Sequence, residues 1–278
     1  MKKTVKLLCL MMAILMCVFA FTACGDKKDQ KSYADLSMIE GVEIGVEYYG
    51  IAFRTGSDMV AKVDAVTAEL FADGTIAAIA EKYDQKDSLV PEFVASTDSA
   101  PAGDSDFEYI KGKGVMVIGV TDFDPMNYKD KDGKWIGFDT EYAEAVCAKL
   151  GIKAEFKEIV WESKEMELAT KSIDCIWNGM TVTDAIINAA DVTGGYIKNY
   201  QVVVVKDAKK YNSLESLKGK TVVAEGNSAG ESAAKADENL KVGYKAVESQ
   251  SDALLQVKSG QAEACVIDYI MAKSMLSK

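Results

Sequence analysis

Apolar and polar positions alternate along most of the chain in a pattern that predicts strands and helices in turn. From residue 115 onward, short apolar runs are separated by segments whose apolar positions recur every three or four residues. The run of four valines at 202–205 is typical of a strand that is buried on both faces. Nearer the N-terminus, residues 46–54 predict a strand, and residues 57–71 and 75–83 predict two helices. The pattern therefore predicts an α/β fold.

The N-terminus carries the features of an export signal. Lysines at positions 2, 3 and 6 precede an apolar run from Leu7 to Phe21, which is too short for a comfortable membrane span. The residues around Cys24 resemble a bacterial lipoprotein cleavage site, and this resemblance implies a lipid on the sulfur of Cys24. The alternative is an unlipidated signal peptide. We expect a signal peptide over 1–23, a lipid-anchored tether over 24–32, and a location on the extracellular face of the bacterial cell membrane or in the periplasm.

The composition removes several classes of function. The chain of 278 residues contains no histidine, which excludes His-ligated metal sites and catalysis by a serine–histidine or cysteine–histidine pair. Its net charge of −11 argues against electrostatic binding of nucleic acid. Cys147, Cys175 and Cys265 lie in apolar surroundings without metal-binding spacing, so we expect buried free thiols. We expect neither a metal ion nor any other cofactor.

Five stretches of the chain carry a family resemblance. They span residues 117–128, 132–146, 171–184, 217–231 and 256–268, and they occur in the family's order. In this order they resemble the extracellular solute-binding proteins of polar amino-acid ABC importers, which form solute-binding protein family 3. The resemblance implies a two-lobed type II periplasmic-binding-protein fold with hinge strands between the lobes. It also implies an amino acid as the ligand and an ABC transporter permease as the partner.

The order of the remaining segments is unusual. Residues 49–58 and 72–83 resemble the strand and helices that end the family's chain, yet here they stand at the front. Residues 33–91 followed by 107–278 therefore resemble a circularly permuted family member, with residues 92–106 as the joining linker. We expect 33–91 and 107–200 to form the first lobe, and 201–278 to supply a hinge strand and the second lobe. The alternative is the remnant of a tandem duplication.

The resemblance also implies a ligand site between the lobes. Asp268 matches the aspartate that binds the ligand's ammonium, and the backbone N–H groups near Ser228 match a carboxylate site. The other interpretations are an exposed loop carboxylate for Asp268, a simple helix cap at 226–230, and lobe packing for the aromatic side chains. The full set of expected ligand-binding residues is Asp122, Phe123, Trp161, Asn178, Gly179, Met180, Thr181, Thr183, Glu225, Asn227, Ser228 and Asp268.

One residue of the family pattern is missing. Most members place an arginine that clamps the ligand's carboxylate at the position that Ile186 occupies here. Arg54 is the chain's one arginine, and we expect it to be structural. Without the clamp, the carboxylate would depend on Thr181, Thr183 and the N–H groups near Ser228. We expect a small polar or cationic amino acid, or a related amine, and we expect acidic amino acids to be rejected.

Two classes of function remain open for such a chain. The first is a monomeric binding protein that delivers its ligand to an ABC importer and catalyses nothing. The second is a secreted enzyme on the same scaffold, similar to cyclohexadienyl dehydratase, with Glu225 as its acid. Because such enzymes need a carboxylate-clamping arginine, the sequence favours the binding protein.

Overall fold

The computed structural model of the protein describes residues 32–97 and 105–277. The predicted signal peptide and the lipidation site at Cys24 lie outside the described residues. Within the two described ranges, no helix combines the length and the apolar character needed to cross a membrane.

The described residues form a mixed α/β structure. Its strands are β1 (Ser37–Met38), β2 (Ile44–Phe53), β3 (Val115–Val120), β4 (Tyr128–Lys129), β5 (Trp135–Ile136), β6 (Lys153–Glu158), β7 (Cys175–Thr181), β8 (Asp191–Val192), β9 (Ile197–Val205), β10 (Val222–Glu225), β11 (Tyr244–Val247) and β12 (Ala264–Asp268). Its helices are α1 (Met59–Ala72), α2 (Thr75–Lys82), α3 (Asp106–Lys113), α4 (Phe138–Leu150), α5 (Lys164–Ala169), α6 (Asp184–Ala189), α7 (Ala229–Ala236), α8 (Gln250–Ser259) and α9 (Tyr269–Leu276).

One sheet runs through both halves of the molecule, in the order β11-β10-β12-β9-β2-β7-β3-β6. The pairs β10–β11 and β10–β12 are parallel, and so are β3–β6 and β3–β7. Between these two parallel groups, β9 and β2 pair antiparallel with each other and with their outer neighbours. The first lobe is built on β7, β3 and β6, the second lobe is built on β10, β11 and β12, and β2 and β9 are the hinge strands. The predicted two-lobed α/β fold is confirmed.

Apolar clusters lie on both faces of the sheet in each lobe. The second lobe divides its clusters along β9, where Val202 and Val204 face one core and Val203 and Val205 face the other. This is the packing that the valine run predicts for a strand buried on both faces. All three cysteines in the described part of the chain are buried free thiols, as expected.

The N-terminal segment contributes to both lobes. Strand β2 lies between β7 and β9, and α1 and α2 pack against α4 of the first lobe. The prediction assigned all of residues 33–91 to the first lobe, but the first residues of this segment pack in the second lobe. Tyr33 and Leu36 pack in one core of the second lobe, and Ile39 packs in the other. They do so because β1 pairs with β9 at Val204 and Val205, which carries the chain onto the second lobe.

Several predicted element boundaries shift in the structure. Helix α3 occupies the end of the predicted linker, and its N-cap Ser105 accepts a hydrogen bond from Glu108 N at 3.1 Å. Asp58 precedes α1 but makes no side-chain cap there; it accepts a hydrogen bond from Phe107 N at 2.9 Å instead. Strand β11 begins at Tyr244, two residues later than predicted, because Val242 lies in an exposed helical turn.

Arg54 has the structural role that the sequence predicts. Its Nε and Nη2 donate to the Asp106 carboxylate, both at 3.0 Å, and its Nη1 donates to the carbonyl of Ile173 at 2.9 Å. Asp174, which is fully buried, accepts from Arg54 and from Lys113. The guanidinium therefore ties β2 to α3 and to the start of β7. It does not line the cleft between the lobes.

Candidate functional site

A cavity of about 660 Å³ lies between the two lobes. The end of β7, the start of α6 and the helical turn at Trp161 form its first-lobe side. The ends of β10 and β12 and the start of α7 form its second-lobe side. Strand ends therefore face one another across the cavity, which is where α/β folds place their ligand sites.

The structure brings almost all of the predicted site residues together. Those that line the cavity are Phe123, Trp161, Asn178, Gly179, Met180, Thr181, Thr183, Glu225, Asn227, Ser228 and Asp268. Asp122 is the exception: its side chain is exposed and does not line this cavity. Phe123, the next residue, is buried at the cavity. Ile186, which stands where the family places its arginine, is buried against the cavity wall.

Asp268 lies at the end of β12 and is only 5% exposed. Its Oδ1 accepts hydrogen bonds from Tyr49 Oη at 2.7 Å, Gln201 Nε2 at 3.0 Å and Asn199 Nδ2. Its Oδ2 accepts from Gln250 Nε2, and its backbone N–H donates to Gln250 Oε1 at 2.9 Å. Burial raises the pKa of Asp268, and these donors oppose that rise. The interpretation of Asp268 as an exposed loop carboxylate is therefore wrong.

A second, half-buried carboxyl group, Glu47, shares these amide donors. Residue Glu47 of β2 lies directly opposite Asn199 of β9, while Asp268 lies directly opposite Gln201 on the other side of β9. Gln201 Nε2 donates to Glu47 Oε1 at 2.8 Å as well as to Asp268, and Asn199 Nδ2 also donates to both. Burial, reinforced by the charge of Asp268, raises the pKa of Glu47 to about 8. The hinge thus holds two carboxyl groups that resist being ionised together.

A third carboxyl group, Glu225, lies at the end of β10 and faces the cavity. Burial and the charge of Asp268 raise its pKa to about 8, while Lys164 opposes the rise. Lys164 is buried at the start of α5 and also lines the cavity. One end of the cavity therefore carries carboxyl groups that few positive charges balance in the ligand-free protein.

On the aromatic side of the cavity, the ring of Phe123 packs closely against the backbone of Gly179. Gly179 has φ = +54°, and a Cβ at this position would lie 2.6 Å from Cε1 of Phe123. Buried Asp139 accepts a hydrogen bond from Gly179 N at 2.6 Å and one from Tyr196 Oη at 2.8 Å. Since only glycine allows the Phe123 ring to lie against the strand end, Gly179 shapes the cavity wall.

Hydroxyl groups on the facing helices complete the lining. Thr183 caps α6 by accepting a hydrogen bond from Ile186 N at 3.3 Å. Ser228 caps α7 by accepting from Glu231 N at 3.1 Å, and its own hydroxyl donates to the Glu225 carbonyl at 2.8 Å. Thr181 donates to Glu47 Oε1 at 3.0 Å, which connects the cavity wall to the hinge carboxyl pair.

The sequence prediction missed three residues that shape the site: Glu47, Lys164 and Gln250. Gln250 and Lys164 line the cavity, and Glu47 supports it from the hinge. Lys164 lies in a run of charged residues from Glu162 to Glu167, which is typical of a solvent-exposed helix face. Glu47 becomes visible as a site residue only when the β2–β9 register is known. Gln250 follows the helix cap Ser249, and nothing in its local sequence marks it as a partner of Asp268.

The described residues contain no group of three or more His, Cys, Asp or Glu side chains that could hold a metal ion.

A family model for bacterial extracellular solute-binding proteins, family 3, matches residues 115–266. This range covers more than half of the chain and holds every cavity-lining residue of the prediction except Asp268. The chain belongs to family 3 of the bacterial extracellular solute-binding proteins. Residues 33–91, which carry strand β2 and helices α1 and α2, lie outside the matched range.

Relatives of known name are amino-acid-binding proteins. The chain is 30% identical over 165 residues to the arginine-binding extracellular protein ArtP of Bacillus subtilis, covering 58% of this chain and 64% of that protein. It is 31% identical over 184 residues to the L-cystine-binding protein TcyA of the same organism, covering 65% of this chain and 67% of that one. The match thus spans slightly less than two thirds of the arginine-binding relative. Both relatives are named for ligand binding, in agreement with the prediction that the chain is not an enzyme.

A solved structure gives the same result for the fold. The protein Tv2483 bound to L-arginine is 30% identical to this chain and superposes with a TM-score of 0.60, covering 64% of this chain and 74% of that one. The similarity therefore covers part of each chain rather than its whole length.

The raised pKa of Glu225 predicts a pH-dependent stability for the ligand-free solute-binding protein. The pKa rises from an ordinary value of 4.5 in the unfolded chain to about 8 in the folded protein, so the folded state retains a proton that the unfolded state releases. The stabilising contribution is complete below pH 4.5 and is lost as the pH rises through 8. Between these values, the free energy of unfolding should fall by about 1.4 kcal/mol per pH unit for each such group.

Urea unfolding of the ligand-free protein between roughly pH 5.5 and pH 7, inside the window between the two pKa values, measures this slope directly. Glu225→Gln should reduce the slope by about the contribution of one ionisable group. The matched change Glu155→Gln, at an exposed position on β6, should leave the slope unchanged. An unchanged slope in Glu225→Gln would show that Glu225 ionises freely in the folded protein.

Proposed function

We propose that this solute-binding protein captures a basic amino acid between its lobes and delivers it to an ABC importer. The observation that carries this proposal is the pair of buried carboxyl side chains in the interlobe cavity, Asp268 and Glu225, with half-buried Glu47 beside them at the hinge. In this proposal, the chain is exported, lipidated at Cys24 and held as a monomer on the outer face of the cell membrane. Family membership supports the extracellular part of this assignment.

The ligand's ammonium group would contact Asp268 and Glu225. An ammonium ion can be buried only where anions and acceptors replace its hydration, and these two carboxyl groups lie at one end of the cavity. Burial raises the pKa of both groups, and a cation bound beside them would lower it again by favouring the ionised form. Ligand binding and deprotonation of the hinge would therefore favour each other.

The remaining charges of the cavity favour a basic side chain on the ligand. Glu165, Asp184 and Glu231 also line the cavity, so that acidic side chains outnumber basic ones around it. This field would attract a second cationic group and repel an acidic amino acid. The arginine-binding relative and the arginine-bound Tv2483 support this choice. The ligand's carboxylate would meet Thr181, Thr183 and the N–H groups near Ser228.

Calorimetric titration with the twenty amino acids tests this assignment. Asp268→Asn should weaken binding of the best ligand by about 2–5 kcal/mol, because it removes one partner of a buried charge pair. The matched control is Asp122→Asn, which changes an exposed aspartate outside the cavity and should leave the affinity unchanged. Tight binding of glutamate or aspartate, or equal affinities of Asp268→Asn and wild type, would contradict the proposal.

We also propose that the chain is a circular permutation of the family fold. Two observations support this: the family model leaves residues 33–91 unmatched, and β2 from that segment fills the position between β7 and β9. Tyr33 and Leu276 pack at the same core of the second lobe, so the two ends that a permutation would separate lie together. Closely placed termini make such a rearrangement structurally tolerable.

A rearranged chain tests the permutation. Residues 105–278 followed by residues 33–97 should fold to a monomer with the circular dichroism and the ligand affinity of the original chain. A truncated chain without residues 33–97 is the control, and it should not fold because β7 and β9 lose the strand between them. If the original chain is monomeric and folded but the rearranged chain is neither, the permutation hypothesis is wrong. Folding of the truncated chain would instead favour a duplication remnant.

A further inference from the structure

Lys164 occupies an unusual position for a lysine. Its side chain is 3% exposed, although it belongs to a helix that begins in a charged run. Among the described residues that line the cavity, Lys164 is the one with a positively charged side chain. The chain's arginine, Arg54, is bound to Asp106 and Asp174 away from this cavity. Among the described residues that line the cavity, Lys164 is therefore the side chain whose charge could balance a ligand's carboxylate, in addition to the hydroxyl and N–H donors.

The ammonium of Lys164 reaches across the cleft. Its Nζ donates to the carbonyl of Asn227 in the second lobe at 3.2 Å and to the carbonyl of Trp161 in the first lobe at 3.4 Å. It lies 4.7 Å from the centre of the Trp161 ring and forms an ion pair with Glu165 Oε1 at 3.1 Å. Both carbonyl contacts are longer than the usual 2.9 Å of a good N–H···O hydrogen bond. The ammonium of Lys164 therefore makes two weak hydrogen bonds to neutral carbonyl groups and one ion pair.

A carboxylate entering the cavity would improve this arrangement. Hydrogen bonds between two charged groups are shorter and about twice as strong as those to neutral carbonyls. The contact with Asn227 is also placed at the residue before Ser228, the cap of α7, so a ligand carboxylate held by Lys164 would lie between the two lobes. The ammonium of Lys164 therefore lies where a bound carboxylate would contact both lobes.

We propose that Lys164 is a specificity-determining residue that binds the carboxylate of the ligand and distinguishes an amino acid from the corresponding amine. This inference rests on the proposed function, since it assigns a role within the same cavity. Asp268 and Glu225 hold the ligand's ammonium, and Lys164, which lines the same cavity, holds the adjacent carboxylate. Ile186 contributes apolar contact at the cavity wall rather than charge.

Comparison of L-arginine with agmatine, its decarboxylated counterpart, isolates the carboxylate. Calorimetry should show that wild type binds L-arginine more tightly than agmatine. Lys164→Met should weaken L-arginine binding by about 10- to 100-fold, the usual effect of losing a hydrogen bond to a charged group, and should not weaken agmatine binding. Lys164→Arg should keep the preference for L-arginine. The matched control Lys149→Met, at an exposed position on α4, should behave as wild type.

The outcomes separate this inference from the proposed function. If wild type binds neither L-arginine and L-lysine nor their amines agmatine and cadaverine, the proposed function is wrong and the role of Lys164 falls with it. If wild type prefers the amino acid but Lys164→Met weakens the amino acid and its amine equally, or weakens neither, only the role of Lys164 is overturned. Circular dichroism checks that each variant is folded, and Lys164→Gln replaces the Met variant if that one is not.

Discussion

The burial of carboxyl groups where the hinge strands cross is the constraint on which the rest of this structure depends. Asp268 and Glu47 stand on opposite sides of β9, and the amides of Asn199 and Gln201 donate to both. A carboxyl group can remain in such a place only with several donors or with a retained proton. In the ligand-free protein the donors are in place, and burial raises the pKa of both groups, that of Glu47 to about 8.

This constraint links the fold to binding. Strands β2 and β9 connect the lobes, and the hydrogen bonds of the carboxyl pair join those strands to β12 and, through Thr181, to the cavity wall. A cation bound at Asp268 or Glu225 would change the charge beside the strands that connect the lobes. In the proposed function, ligand binding would therefore be coupled to the hinge through charge as well as through shape.

The strands and helices could be predicted from local apolar patterns, and most of the candidate site could be predicted from the family resemblance of five short stretches. The valines at 202–205 show a two-sided buried strand, and the apolar run before Asp268 shows a strand end. Glu47 could not be found in this way, since its role depends on lying opposite Asn199 in the β2–β9 register. Lys164 could not be recognised as a site residue because its charged neighbours are typical of an exposed helix face. The exposure of Asp122 depends on the path of the chain after β3.

Counting the protons released on ligand binding tests the central claim most directly. Calorimetric titration of the protein with L-arginine at about pH 7, repeated in buffers of different ionisation enthalpy, gives the number of protons exchanged per ligand. If a cation binds against carboxyl groups that are protonated in the free protein, about one proton or more should leave the protein for each ligand bound. Tight binding with no dependence on the buffer, or with proton uptake, would contradict the account.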